Sequence, residues 1–470
     1  MVHQKCVRKP TRKCIENVMK DYDLEKGTYE RVGRILLDEM EQGLSRDTNA
    51  SAVIKMFPTY VRALPDGSER GNFLALDLGG TNFRVLLITL KGASVEMENK
   101  IYPISQELMI GHGTKLFDHI ASCISDFMTD HNLKGAGHLP LGFTFSFPCA
   151  QDSLNVGRLV QWTKGFACEG VQNQDVVKLL HEAIARRGDI DVECVALLND
   201  TVGCLMSCAF LDHNTEIGVI LGTGTNACYM EKLDRVGTWD GDRGEPQQVI
   251  INTEWGAFGS NGCLDFLRTD VDKAIDEASL NPGKQLYEKM ISGMYMGEIV
   301  RRVLVKCVSQ GLLFEGHSSD LLDTPARFYT KYISEIEKDT DEDEFRRTKI
   351  VFEELGLEEH LTDDDCRNVQ YICSLVSQRA AYLASAGIAT LLNRIEKPNI
   401  TVAVDGSLYR YHPYFHQLMM DKTRQLLKPE LNFHIRLSED GSGRGAALVA
   451  AVAHRYHSQG IHGYKPTTNG

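Results

Sequence analysis

One unit occurs twice in this chain, and a chain that repeats it is confined to few architectures. An apolar strand over residues 73–78 runs into Gly79-Gly80-Thr81-Asn82 and out into a second apolar strand over 83–90. The triplet Gly80-Thr81-Asn82 recurs as Gly224-Thr225-Asn226, again between apolar strands, over 217–221 and 227–230. Glycines permit a tight turn with positive φ and let a ligand approach the backbone closely. Exposed N–H groups in such a turn, with the Thr81 hydroxyl, make a cradle for phosphate oxygens. Asp77 stands at its mouth, placed to meet a cation that the phosphates carry. Each copy is followed much later by an apolar strand that ends in Asp and enters a helix, at Asp200 and at Asp405. The chain therefore reads as two related α/β halves. Ligands of open α/β sheets sit beyond the carboxyl ends of strands, where both acids fall. Two such halves facing each other clamp a nucleotide phosphate chain.

A length of 470 residues exceeds a single hydrophobic core, so two domains are expected. The net charge of −13 argues against nucleic acid or an anionic membrane as the main partner. No apolar run is long enough to span a bilayer, and residues 1–6 lack the apolar core of a secretory signal. Thirteen cysteines without framework spacing suggest reduced thiols and a cytoplasmic setting. Cys204 and Cys208 share a helix face, but no His or second Cys pair accompanies them. They read as small buried residues, and no protein-bound metal site is expected.

Residues 12–44 carry an amphipathic helical pattern, and 56–71, with two prolines and a Pro-Asp-Gly turn, reads as a connector. The first half then holds strands over 73–104, 141–147 and 192–198 and helices over 114–131 and 175–187. The second half begins near Gly203, with long helices over 285–310 and 369–394. The acidic stretch 335–344 reads as a solvated loop or helix start. Gly441-Ser442-Gly443-Arg444-Gly445 reads as a Gly-rich turn opening a small-residue helix over 446–455, suited to an adenosine or phosphate.

Three polar clusters interrupt apolar strands. Ser146 ends Phe143-Thr144-Phe145-Ser146-Phe147-Pro148. Thr163 and Lys164 lie between aromatics in Trp162-Thr163-Lys164-Gly165-Phe166. Asn252-Thr253-Glu254 follows a strand over 249–251. With Asn199, Asp200, Asn226 and Glu288 they supply amides, carboxylates and hydroxyls that suit a polyhydroxylated ligand. Each cluster alone is also explained as a cap or a structural ion pair.

These runs together resemble a eukaryotic hexokinase. Leu76-Asp77-Leu78-Gly79-Gly80-Thr81-Asn82, Leu198-Asn199-Asp200-Thr201-Val202, Gly222-Thr223-Gly224-Thr225-Asn226, Val404-Asp405-Gly406-Ser407 and Glu439-Asp440-Gly441-Ser442-Gly443-Arg444-Gly445 carry the resemblance with the polar clusters above. They occur in the family's order from about residue 15 to 455. The chain resembles the single-unit animal form rather than the duplicated form of twice its length. The resemblance implies an α/β, actin-like ATPase (ribonuclease H-like) fold with two lobes around a central cleft. The small lobe would be 71–203 plus 445–470, and the large lobe 1–70 plus 204–444.

By the same carry-over, Ser146, Thr163, Lys164, Asn199, Asp200, Asn226, Glu254 and Glu288 match sugar-contacting positions. Asp77, Gly79, Gly80, Thr81, Asn82, Gly222, Thr223, Gly224, Ser407, Gly441 and Ser442 match nucleotide-contacting positions. Thr324-Pro325-Ala326-Arg327 departs from the Arg-Gly usual after that threonine in animal members.

The expected chemistry is transfer of the γ-phosphoryl of ATP, carried with Mg2+, to the 6-hydroxyl of glucose or a related hexose, the first step of glycolysis. Asp200 would be the base and Lys164 the stabiliser of the transferring group. The expected partners are ATP and hexose, without nucleic acid or membrane insertion, in a monomer or homodimer. Two rivals remain at this stage: a sugar sensor using the same cleft, and an actin-like switch that binds a protein.

Overall fold

Strand-forming residues around each glycine bend seed a separate sheet. In the computed structural model, residues 12–458 are described apart from residues 80, 81, 93, 136, 163, 164, 341 and 343. The strands are β1 (Phe57–Pro58), β2 (Arg70–Leu78), β3 (Asn82–Lys91), β4 (Val95–Pro103), β5 (Leu139–Phe145), β6 (Cys149–Ser153), β7 (Val156–Leu159) and β8 (Val192–Leu198). They continue with β9 (Thr215–Leu221), β10 (Thr225–Lys232), β11 (Gln248–Asn252), β12 (Asn399–Asp405) and β13 (Asn432–Leu437).

The first sheet runs β4-β3-β2-β5-β8, antiparallel through β4, β3 and β2 and parallel through β2, β5 and β8. The second runs β1-β11-β10-β9-β12-β13. Without β1 its order and directions repeat the first: third, second, first, fourth and fifth strands side by side. Parallel neighbours require crossovers, and helices supply them. Gly113–Asp130 lies between β4 and β5, Val176–Arg187 precedes β8, and Asp363–Ile395 precedes β12. Two such sheets form an α/β, actin-like ATPase (ribonuclease H-like) architecture of two lobes.

Each sheet has its own core. Phe117, Phe127, Phe143 and Phe145 fill the first, and Tyr229, Trp255, Phe258 and Tyr287 the second. A third cluster joins Leu86 and Ile88 of β3 to Met230 of β10 and Ile250 of β11. Between them lie the helices Asp200–Ala209 and Gly441–Ser458, through Val202, Leu205, Met206 and the run Ala446 to Ala453. Small residues bring these helices together: a Cβ on Gly445 would stand 2.2 Å from the Gly203 carbonyl oxygen.

Several elements differ from the sequence expectation. The 12–44 pattern is two helices, Arg12–Met19 and Lys26–Leu44, and 285–310 is Leu286–Ile291 and Gly293–Ser309, parted by Ser292 with ψ 156°. The connector contributes β1, whose Pro58 is tolerated because it lies at a sheet edge. The helix at the end begins at Gly441 itself: Gly441 and Gly445 face the Asp200–Ala209 helix, and Gly443 lies against Leu86 and Arg84 of β3. Asp339, within the supposedly solvated acidic stretch, is 4% exposed and accepts from Thr348 N (2.6 Å) and Thr348 Oγ1 (2.8 Å). It caps the Arg346–Glu354 helix instead of facing water. Cys204 and Cys208 are buried as expected, and burial pushes both thiols up.

Candidate active site

The first bend is organised around one acid. Asp77 ends the apolar part of β2, and its Oδ2 accepts from Arg84 Nη2 (2.8 Å), Arg84 Nε (3.1 Å) and Ser442 Oγ (2.8 Å). Arg84 also pairs with Asp440 at 2.6 Å. Burial works against the Arg84 charge, but Asp77 and Asp440 outweigh it and hold its pKa above the ordinary value. Ser442 is fixed in turn by its carbonyl, which accepts from Thr144 Oγ1 at 2.8 Å. Gly79 lies against Ser146, where an added Cβ would be 3.0 Å from the Ser146 oxygen and 4.0 Å from Asp77 Oδ1.

The second bend reaches the first through the same helix start. Asp405 Oδ2 accepts from Gly441 N (3.4 Å), and Asp405 Oδ1 from Gly406 N (2.7 Å). Gly406 lies against Gly222, whose added Cβ would sit 3.5 Å from the Gly406 Cα and 3.6 Å from Ser407 N. Gly222 O and Thr223 O accept from Gly293 N (2.8 Å) and Met294 N (3.2 Å). The ends of β2 and β9 are therefore linked by one run of contacts, in the order Asp77, Ser442, Gly441, Asp405, Gly406, Gly222. None of Gly79, Gly222 and Gly224 has positive φ. Their expected role in turning the chain is replaced by close approach: a Cβ on Gly224 would meet Glu288 Oε2 at 2.5 Å.

On the far side of the second bend the amides and carboxylates converge. Glu288 Oε2 accepts from Thr225 N at 2.9 Å. Asn226 Nδ2 donates to Asn252 Oδ1 (2.8 Å) and lies 3.4 Å from both Asn199 Oδ1 and Glu254 Oε1. Asn252 Nδ2 donates to Glu254 Oε1 at 2.8 Å. Asn199 caps the Asp200–Ala209 helix, accepting from Thr201 N (3.0 Å) and Thr201 Oγ1 (2.8 Å). Glu254 and Gln285 both adopt left-handed backbone, φ 54° and 55°, and non-glycine residues so held cluster at functional sites. Asn199, Asp200, Asn226, Glu254 and Glu288 are half-buried, and Ser146 is buried.

Asp200 lies where the two groups meet. Immediately before it, Asn199 joins the amide and carboxylate group. One turn further, Gly203 lies against Gly441 and Ser442, so close that an added Cβ would be 2.8 Å from the Gly441 carbonyl oxygen. Acid, hydroxyls and amides gathered beside two glycine bends suit phosphoryl transfer to an alcohol.

Gly80, Thr81, Thr163 and Lys164 lie outside the described residues, as does the side chain of Asn82. The remaining site residues named from sequence are brought together. Asn252 and Asp405, read from sequence only as members of a polar cluster and a strand end, take on definite tasks: Asn252 orients Asn226 and Glu254, and Asp405 joins the bends. Arg84, which neutralises Asp77, was missed; a cation between Phe83 and Val85 was the available signal. The Thr324 hydroxyl donates to the Asp320 carbonyl at 2.6 Å, and Ala326 holds φ 60°, in the left-handed region that favours glycine.

Family models described as Hexokinase match residues 14–210 and 216–452. Hexokinase-1 of Rattus norvegicus is 49% identical over 450 residues, 94% of this chain and 48% of the relative. Hexokinase-2 of Homo sapiens is 51% identical over 438 residues, 91% of this chain and 47% of the relative. The chain thus spans about half the length of these curated relatives. Among solved structures, the hexokinase from Schistosoma mansoni complexed with glucose superposes with a TM-score of 0.87 at 45% identity. That match covers 94% of this chain and 98% of that one.

Proposed function

The chain belongs to the hexokinase family, and on that premise we propose that it transfers the γ-phosphoryl of ATP to the 6-hydroxyl of glucose or a related hexose. The observation that carries this reading is the position of Asp200, one helical turn touching both the amide–carboxylate group and the Ser442–Asp77 group. The products would be hexose 6-phosphate and ADP.

Asn199, Asn226, Glu254, Glu288 and Ser146 would bind and orient the sugar hydroxyls. Asp200 would take the proton of the attacking hydroxyl. Lys164 and Thr163 are assigned from sequence, Lys164 to the charge on the transferring group. Asp77, Gly79, Gly80, Thr81 and Asn82 would hold one side of the phosphate chain. Gly222, Thr223, Gly224, Ser407, Gly441 and Ser442 would hold the other. A hydrated Mg2+ fits the first bend, because magnesium needs few carboxylates and keeps its waters. Asp77 presents Oδ1 towards Gly79 while Arg84 and Ser442 occupy Oδ2. When bound, that ion would supply charge neutralisation for the phosphates, and Asp77 would orient its waters.

We assign 71–203 plus 445–470 to a small lobe and 1–70 plus 204–444 to a large one. The Gly203–Gly445 contact supports a pivot at that division, so that closure on the sugar excludes water from the transferring group. Among the described residues no helix is long and apolar enough to cross a membrane. The protein is assigned to the cytoplasm as a monomer or homodimer. The test is a coupled assay of ADP release across a panel of hexoses with MgATP. Sugar-dependent turnover is expected. Sugar binding without turnover would identify a sensor, and a thermal shift by nucleotide alone would point to a protein-binding switch.

A further inference from the structure

Outside the cleft, Glu315, His317 and His360 bring one potential ligand atom each to within 4.8 Å of the others. Glu315 and His317 belong to the turn that follows the Gly293–Ser309 helix, and His360 to the Glu358–His360 turn just before the Asp363–Ile395 helix. The two imidazoles stack with centroids 3.9 Å apart and planes 4° apart. A stacked pair can be mere packing. Here, however, His317 is exposed and His360 only half-buried, so stacking them removes little apolar surface from water.

The partner of His317 points the same way. Its Nδ1 lies 3.2 Å from the Phe314 carbonyl oxygen, which can only accept, so Nδ1 carries the proton and Nε2 presents its lone pair. An outer hydrogen bond to a backbone carbonyl is the arrangement that orients a metal-ligating imidazole. That carbonyl is itself fixed. Phe314 is buried against Phe352, with centroids 5.0 Å apart, and its N–H donates to Asp365 Oδ1 at 3.2 Å.

We propose that Glu315, His317 and His360 form a site for one divalent transition-metal ion of the zinc class, with water completing a four-coordinate shell. Two imidazoles and one carboxylate favour zinc, cobalt or nickel over magnesium or calcium, so the site is chemically distinct from the Mg2+ of phosphoryl transfer. Zinc–nitrogen bonds of about 2.0–2.1 Å set tetrahedral ligand atoms about 3.4 Å apart. Rotation of three surface side chains supplies that contraction and tilts the rings so that their lone pairs converge. The bound ion would tie the Phe314 turn to the start of the long helix.

The test titrates the full chain with Zn2+ and with Co2+, read by calorimetry and by cobalt d–d absorption. One ion per chain and a tetrahedral cobalt spectrum are expected. His317→Ala and His360→Ala should each weaken binding at least tenfold and abolish the spectrum, with hexose-dependent ADP release unchanged in zinc-free buffer. Glu315→Gln, at an exposed position, should weaken binding about tenfold and stands in should a histidine variant fold poorly. Wild-type protein that binds no cobalt overturns the proposal. Variants that bind as wild type overturn it equally, because the ion then resides elsewhere, on a cysteine for instance.

Discussion

The two glycine bends hold the same place in two sheets of the same order, yet their chemistry differs. Between β2 and β3 the last ladder pair is Leu78 with Phe83, leaving residues 79–82 as the bend. Between β9 and β10, Leu221 pairs with Thr225, leaving 222–224. The first bend brings its own acid, Asp77, with Arg84 beside it. At the matching end of β9 stand Ile220 and Leu221, and the second bend relies on neighbours: Glu288 from a helix and Asp405 from β12. Being surrounded by other elements, the second bend touches both the Asp405–Gly441 group and the amide–carboxylate group. A repeated backbone here fixes where ligands can lie, while side chains contributed from outside the repeat decide which ligand lies where.

The comparison breaks first at the helices that follow the fifth strands. Asp200 opens the helix after β8, and Asp440 precedes the helix after β13. If the halves were chemically equivalent, the two acids would matter alike. Asp200→Ala should lower turnover about 10²–10⁴-fold with sugar affinity retained, since a general base supplies about that factor. Asp440→Ala removes one of the two acidic partners of Arg84 and should cost less than about tenfold, in KM for MgATP. Steady-state kinetics with sugar calorimetry separates them, and equal losses would sink the base assignment.

Arg84→Met sharpens the contrast between the bends. It leaves Asp77 with Ser442 but without its cation, so KM for MgATP should rise about tenfold while KM for sugar stays unchanged. A variant that raised both alike would show that the first bend also serves the acceptor.

Much of this was legible in the sequence because repetition and strand-end polarity are local signals. The bends, the Asn199–Asp200 helix start and the strands β8, β9, β10 and β12 lie within a residue or two of where apolar runs put them. What was not legible depends on distant partners. The sequence pattern equates the acid after β8 with the acid ending β12, but β8 is the fifth strand of its sheet and β12 the fourth of the other. Strand order is set by tertiary packing, so no local pattern separates them. Likewise the role of Gly224 is set by Glu288, and that of Gly445 by Gly203, contacts between residues far apart in the chain.

Gly224→Ala and Gly79→Ala test that lesson with one methyl group each. The Gly224 methyl would strike Glu288 Oε2 at 2.5 Å, moving that carboxylate off the Thr225 N–H. Sugar KM should rise about fivefold, the loss of about one ordinary hydrogen bond. At Gly79 the methyl would meet Ser146 Oγ at 3.0 Å and Ser146 Cβ at 3.1 Å, contacts that a small shift of Ser146 relieves, and the rise should be about twofold. A larger effect at Gly79 would reverse the order of the two bends.

The smallest difference between the halves is electrostatic. In the first sheet, His138 before β5 bridges Asp191 and Glu193 of the neighbouring β8 segment, at 2.7 and 2.9 Å. Among the described residues, the matching β12–β13 pair is joined by ladder bonds without such a histidine. Hydrogen bonds to Asp191 and then Glu193 raise the His138 pKa above its ordinary 6.5. A raised histidine contributes stability fully below pH 6.5, and that contribution fades as pH climbs through the folded value. His138 is 55% exposed, so water and salt reduce the effect to about a few tenths of a kcal/mol. Hydrogen exchange should therefore show β5 and β8 amides losing slight protection as pH rises above 6.5, corrected for intrinsic rates, while β12 and β13 do not. His138→Gln should flatten the first trend. If instead both sheets loosened together over that range, the pH dependence would belong to the whole fold and not to the half that carries the histidine.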